Sequence, residues 1–113
     1  MSIDVFSSHM HADRIALDPA RAAVVVVDMV NDFCVPGGLM VLPGCDVLFA
    51  PQRAVIDAAR KAGAPVIWVH DSHRPNLRRD REFLKRARHC MEGTWGAEIV
   101  ADLGARADEI HVI

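Results

Sequence analysis

The sequence predicts an α/β protein built on a parallel sheet, and three observations carry that expectation. Residues 22–28 (AAVVVVD) and 65–70 (PVIWVH) are apolar runs rich in β-branched residues, with no polar alternation. Continuous runs of this kind belong to interior strands covered on both faces. Helical patterning separates them, and a third apolar run, EIHVI at 109–113, follows a further helical stretch. Strand, helix, strand, helix, strand is the order that implies right-handed crossovers and parallel pairing.

Each element has its own signal. Residues 1–20 are polar and read as an arm; they lack the basic and apolar regions of a signal peptide. Residues 21–113 form the domain segment. Gly, Pro and polar residues at 31–43 predict a loop. The helix expected over 50–62 has Pro51 in its first turn, where a missing N–H costs little, and Gly63 as its C-cap. Ala54, Val55, Ala58, Ala59 and Ala62 make its apolar stripe, with Arg53, Asp57, Arg60 and Lys61 opposite. A polar loop is expected over 71–94 and a short helix over 94–104.

Composition excludes some functions. With 51% hydrophobic and 25% charged residues, the chain reads as an ordinary globular protein, of one domain at most. A net charge of −2 gives no electrostatic case for nucleic acid or an anionic membrane, and no apolar run is long enough to span one. Basic residues cluster between Arg74 and Arg88, broken by Asp80 and Glu82; they form a solvated face or an anion-attracting rim. Cys34, Cys45 and Cys90 match no zinc or redox motif, so reduced thiols in a cytoplasm are expected.

Two segments carry chemistry. VVVVDMVNDFCVPGG, residues 24–38, sets Asp28 at a strand end beside a Gly-rich turn. Burial there would raise its pKa and poise it for proton transfer; a carboxylate that caps the next turn is the other reading. HDSHRPN at 70–76 and HCMEGTWGAE at 89–98 place Asp71, His73 and His89 where they can converge on a metal, or serve only as a turn and a packed histidine. Ligands of open parallel sheets bind at the carboxyl ends of the strands, so Asp28, Asp71 and His73 share one rim.

Together these segments resemble the isochorismatase-like cysteine hydrolases, a superfamily that includes nicotinamidases, N-carbamoylsarcosine amidases and ureidoacrylate amidohydrolases. The resemblance covers roughly residues 20–113. It implies a three-layer, doubly wound parallel sheet of which this chain supplies about the first three strands. It also implies an Asp–Lys–Cys triad that cleaves a C–N amide, carbamoyl or ureido bond of a small molecule. Asp28 matches the triad aspartate, and Phe33 matches an aromatic of the substrate pocket. The lysine is expected just beyond Ile113 and the cysteine further on, so this chain alone is expected to be inactive and to need a companion C-terminal segment. Asp71, His73 and His89 match the metal ligands of nicotinamidases, which makes a divalent metal such as zinc possible although other amidases require none.

Arg86 stands where nicotinamidases tend to carry an aromatic. Its planar donors suit a carboxylate or ureido oxygen, so Arg86 and His73 join Phe33 as expected substrate contacts. Homo-oligomers are common in the family. A catalytically incomplete binding module of the same fold, or a vinyl-ether hydrolase of the isochorismatase type, are the rival readings.

Overall fold

The computed structural model describes residues 14–76 and 82–113. Residues 1–13 of the expected arm and 77–81 of the expected basic loop lie outside the described residues. Strand β1 (Val24–Val27), a one-turn helix α1 (Asn31–Cys34), helix α2 (Phe49–Ala62), strand β2 (Val66–Val69) and strand β3 (Ile110–Val112) follow in chain order. The three strands form one parallel sheet in the order β1-β2-β3. Val24 pairs with Val66 and Ile67 with Ile110, so the carboxyl ends of the strands are level.

Helix α2 ends where its sequence says it must. Gly63 adopts φ +80, and its N–H reaches back to the Ala59 and Arg60 carbonyls. The buried face, however, differs from the alanine stripe. Ile56 and Ala59 are the residues that enter the core, beside Val26, Val66, Trp68, Val100 and Leu103. Arg60, read as outward, turns inward instead, and its Nη2 donates to the Gly104 carbonyl at 2.8 Å and Glu109 Oε1 at 2.6 Å. Val55, Ala58 and Ala62 line an apolar trough with Leu17, Pro19 and Ala22. Arg60 thereby ties this face of the helix to Gly104 and Glu109.

The sheet has one covered face and one open one. Val26, Val66 and Trp68 pack against α2. Val25 and Val27, expected to be buried, are 54% and 53% exposed, and Ile110 and Val112 on the same face are 53% and 49% exposed. No element among the described residues packs there. The free edge of β1 borders a groove of about 420 Å³ lined by Val25, Val27, Leu48 and Val55.

Two further expectations are corrected. The 31–43 loop begins with the helical turn α1. The helix expected over 94–104 is two 3₁₀ turns, Trp95–Ala97 and Ala101–Leu103. The residues between them are extended because Ile99 bridges to Val30, and Val100 N–H donates to the Met29 carbonyl at 3.0 Å. Pairing to the segment after β1 satisfies backbone groups that a helix would have satisfied internally.

The Arg60–Glu109 pair ties α2 to the start of β3. Arg60 first, with help from the Arg106 N–H and the Trp68 indole N–H, lowers the Glu109 pKa from 4.5 to about 2 against the opposing effect of burial. A depressed carboxylate pKa contributes stability above the unfolded value and loses it as pH falls through the folded one. Glu109→Gln should therefore be less stable than wild type at neutral pH and lack the acid dependence between about pH 4.5 and 2. Chemical denaturation across that window checks this, and parallel curves for the two proteins would contradict it.

Candidate active site at the carboxyl rim of the sheet

Asp28 follows β1 directly. Its N–H donates to the Val69 carbonyl at 3.0 Å, and His70 N–H donates to the Val112 carbonyl at 2.9 Å, so Asp28 and His70 stand side by side at the strand ends. Asp28 has φ +59, a left-handed conformation that short polar residues tolerate better than bulky ones. This turn takes the chain out of the sheet and into α1. Its carboxyl is open to solvent on one side. Burial on the other, then the charge of Asp71, raise its pKa above the ordinary 3.8.

A residue that sequence reasoning passed over assembles the rest. Asp32 is buried, and each carboxylate oxygen accepts a backbone N–H: Leu39 at 3.0 Å and Cys90 at 2.7 Å. Neighbouring Asn31 donates its Nδ2 to the Trp95 carbonyl at 2.8 Å. These bonds pin the 89–97 segment beside the α1 turn. A Cβ on Gly96 would collide with the Asp32 carboxylate, and one on Gly38 with the Asn31 and Asp32 carbonyls. Those two glycines are what permit the close approach. The polar "ND" inside an apolar motif was the only available signal.

The clasp brings together residues far apart in sequence. Phe33 lies 5.7 Å from the His89 ring, between centroids. Asp71, His73 and His89 each offer a ligand atom within 4.8 Å of the others. His73 Nε2 is 3.2 Å from Asp71 Oδ1, and His89 Nε2 is 3.7 Å from Asp71 Oδ2. His89 Nδ1 faces the Ala87 carbonyl at 2.8 Å, a contact that requires the proton on Nδ1. Nε2, on a side chain that is only 3% exposed, faces the Asp71 carboxylate. Donors around a tetrahedral ion with bonds of about 2.0–2.1 Å stand roughly 3.3–3.4 Å apart. One carboxylate and two imidazoles at this spacing fit a divalent cation such as zinc.

Phe83 was missed as well. Its ring packs 4.7 Å from His73 and 5.7 Å from His89, with the Arg88 guanidinium 5.9 Å away. Arg86 lies on the exposed side of this cluster, its Nε 3.1 Å from Glu82 Oε1. The three cysteines are buried and free. Burial first pushes Cys34 and Cys90 up to about 12, where thiolate is scarce, so they act as small apolar residues.

A family model, the isochorismatase domain, matches residues 22–113. The chain belongs to the isochorismatase family. Among solved structures, N-carbamoylsarcosine amidase from Thermoplasma acidophilum is 36% identical, with a TM-score of 0.66 over 79% of this chain and 49% of that one. A pyrazinamidase of Pyrococcus horikoshii, solved in complex with zinc, is 30% identical, with a TM-score of 0.65 over 79% of this chain and 49% of that one. A cysteine hydrolase from Pseudomonas syringae pv. phaseolicola 1448A, 24% identical, shares the fold at a TM-score of 0.76 over 87% of this chain and 48% of that one. This isochorismatase-family chain thus spans about half the length of the structures it matches.

Two predictions follow from the rim. Asp28→Asn, which keeps a residue tolerant of the left-handed turn, should stabilise the protein at neutral pH. A raised carboxyl pKa disfavours the ionised form in the fold, so the gain should vanish below pH 3.8, where Asp28 is protonated in both states. Asp32→Ala leaves the buried Cys90 N–H and the part-buried Leu39 N–H without their acceptor and should cost roughly 1–4 kcal/mol in denaturant unfolding; a loss well under 1 kcal/mol would show that the clasp is dispensable.

Proposed function

We propose that this chain is the Asp28-bearing part of a cysteine-dependent amidohydrolase. The substrate is a small molecule with a C–N amide, carbamoyl or ureido bond. The observation that carries this reading is Asp28 itself. It is a carboxyl with an elevated pKa at the rim of a parallel sheet, near enough to Asp71 to feel its charge, in a chain 36% identical to an N-carbamoylsarcosine amidase.

The lysine and cysteine of the triad come from a C-terminal segment. The open face of the sheet and the free β1 edge support its place. Val25, Val27, Ile110 and Val112 offer an apolar surface that a further layer would cover, and the matched structures are about twice as long. An open apolar face of this kind marks a surface that another segment or partner covers.

In the reaction, Asp28 takes the thiol proton of the nucleophilic cysteine. The thiolate attacks the carbonyl carbon and forms a tetrahedral intermediate. Asp28 returns the proton to the departing amine, and water then cleaves the thioester. A carboxyl with a raised pKa is suited to both transfers, because its acid and base forms lie closer in energy near neutral pH. Phe33 and Phe83 supply flat apolar walls, and Arg86 supplies donors for a carboxylate or ureido oxygen. Asp71, His73 and His89 would hold a divalent metal, which when bound polarises a substrate group or a water beside the carbonyl. An arginine at position 86, in place of an aromatic that would pack on a ring, favours linear substrates over pyridine carboxamides.

The assembled domain should release ammonia or an amine from carbamoyl or ureido compounds. Asp28→Asn should lower kcat about 100- to 10,000-fold with the fold intact. Undiminished turnover in the variant, or no amide turnover by the assembled domain, would reject the reading.

A further inference from the structure

We propose that Cys34 and Cys45 are a redox-sensitive lock on α1, which closes to a disulfide when a peroxide oxidises the pair. Leu42 brings the two together. Its N–H donates to the Phe33 carbonyl at 2.8 Å, and its carbonyl accepts the Cys45 N–H at 3.2 Å. Cys34 follows Phe33 directly, as the last residue of α1, and Cys45 opens the 3₁₀ turn Cys45–Leu48. Both side chains are buried in one core cluster, and the thiols are near enough to interact directly. The third thiol, Cys90, belongs to a separate cluster with Val30 and Ala97. This inference is independent of the amidase and metal readings.

Reduced, the two thiols fill the core as small apolar groups. The loop between them, 35–44, is mostly exposed, and the left-handed Gly44 at its end adjoins Cys45. Cys45 is therefore the thiol that peroxide reaches first. Its sulfur takes one peroxide oxygen and becomes a sulfenic acid, and water leaves. The Cys34 sulfur then attacks the Cys45 sulfur, the S–S bond forms, and the sulfenic hydroxyl departs as a second water with the remaining thiol proton. Two electrons pass from the sulfurs to the peroxide. Burial pushes the Cys34 thiol up to about 12, so the closing step is slow and the pair answers sustained rather than brief oxidation. The consequence falls on the site. Helix α1 carries Asp32 and Phe33, and the closed loop contains Leu39, whose N–H the Asp32 carboxylate holds. A bond from the end of α1 to the turn that leads into α2 restrains both ends of that loop.

The test treats the folded chain with hydrogen peroxide and maps the products by mass spectrometry, before and after dithiothreitol. Wild type should lose two hydrogens, with the bond mapped between Cys34 and Cys45, and regain them on reduction. Closing the 34–45 loop should shift the unfolding equilibrium by about 100-fold toward the folded state in denaturant and slow amide exchange at Leu39. Cys45→Ala, with folding checked by circular dichroism, should form no internal disulfide and show no such shift. Thiols that stay reduced, that pass only to sulfinic and sulfonic acids, or that bond through Cys90 would overturn the pair, and wild type alone decides this. A Cys34–Cys45 bond that leaves both unfolding and Leu39 exchange unchanged would overturn the lock.

Discussion

The site depends on one buried carboxylate. Asp32 holds Leu39 with one oxygen and Cys90 with the other, and so joins the turn after β1 to a segment nearly sixty residues later. A strand end can project one acid, but it cannot by itself place an imidazole from a distant loop beside it. The clasp does that. It draws His89 against Phe33, keeps Gly96 under the carboxylate, and lets Ile99 and Val100 pair with Met29 and Val30. A buried acid held by backbone N–H groups is costly to disrupt and directional, which is what a positioning device needs.

Around that clasp the rim concentrates negative charge. Asp28 and Asp71 are near enough for the charge of one to raise the pKa of the other, and Cys90 senses Asp71, Asp32 and Asp28. Such a constellation has two natural uses. One carboxyl exchanges a proton, and the others gather around a cation. On the proposed function the roles divide by surroundings: Asp28 has no imidazole partner in the described contacts, while Asp71 lies between His73 and His89. Arginines stay at the periphery, where Arg86 and Arg88 pair with Glu82 and Phe83.

The backbone plan was legible in the sequence because it rests on local chemistry. The β-branched runs, Pro51 and Gly63 locate β1, β2 and α2 to within a residue or two. That Asp71, His73 and His89 come together in space was legible too, through motif and resemblance. What was not legible depends on tertiary partners. Arg60 turns inward from α2 to bond Glu109, forty-nine residues away, and Ile56 and Ala59 form the buried face. The helix expected over 94–104 gives way to 3₁₀ turns because its middle pairs with Val30. Asp32 reads as a loop residue until the Cys90 N–H arrives, and Glu82 and Phe83 sit in a stretch with no periodic pattern at all. The first strand reads as covered on both faces, yet one face is open among the described residues.

The most direct test of this account is amide hydrogen exchange at Cys90 and Leu39. The clasp predicts slow exchange at both, comparable with the sheet amides of β2, although both residues lie outside regular secondary structure. Exchange of either at the rate of an open loop would mean that the 89–97 segment is not held beside Asp28, and the assembled site described above would not stand.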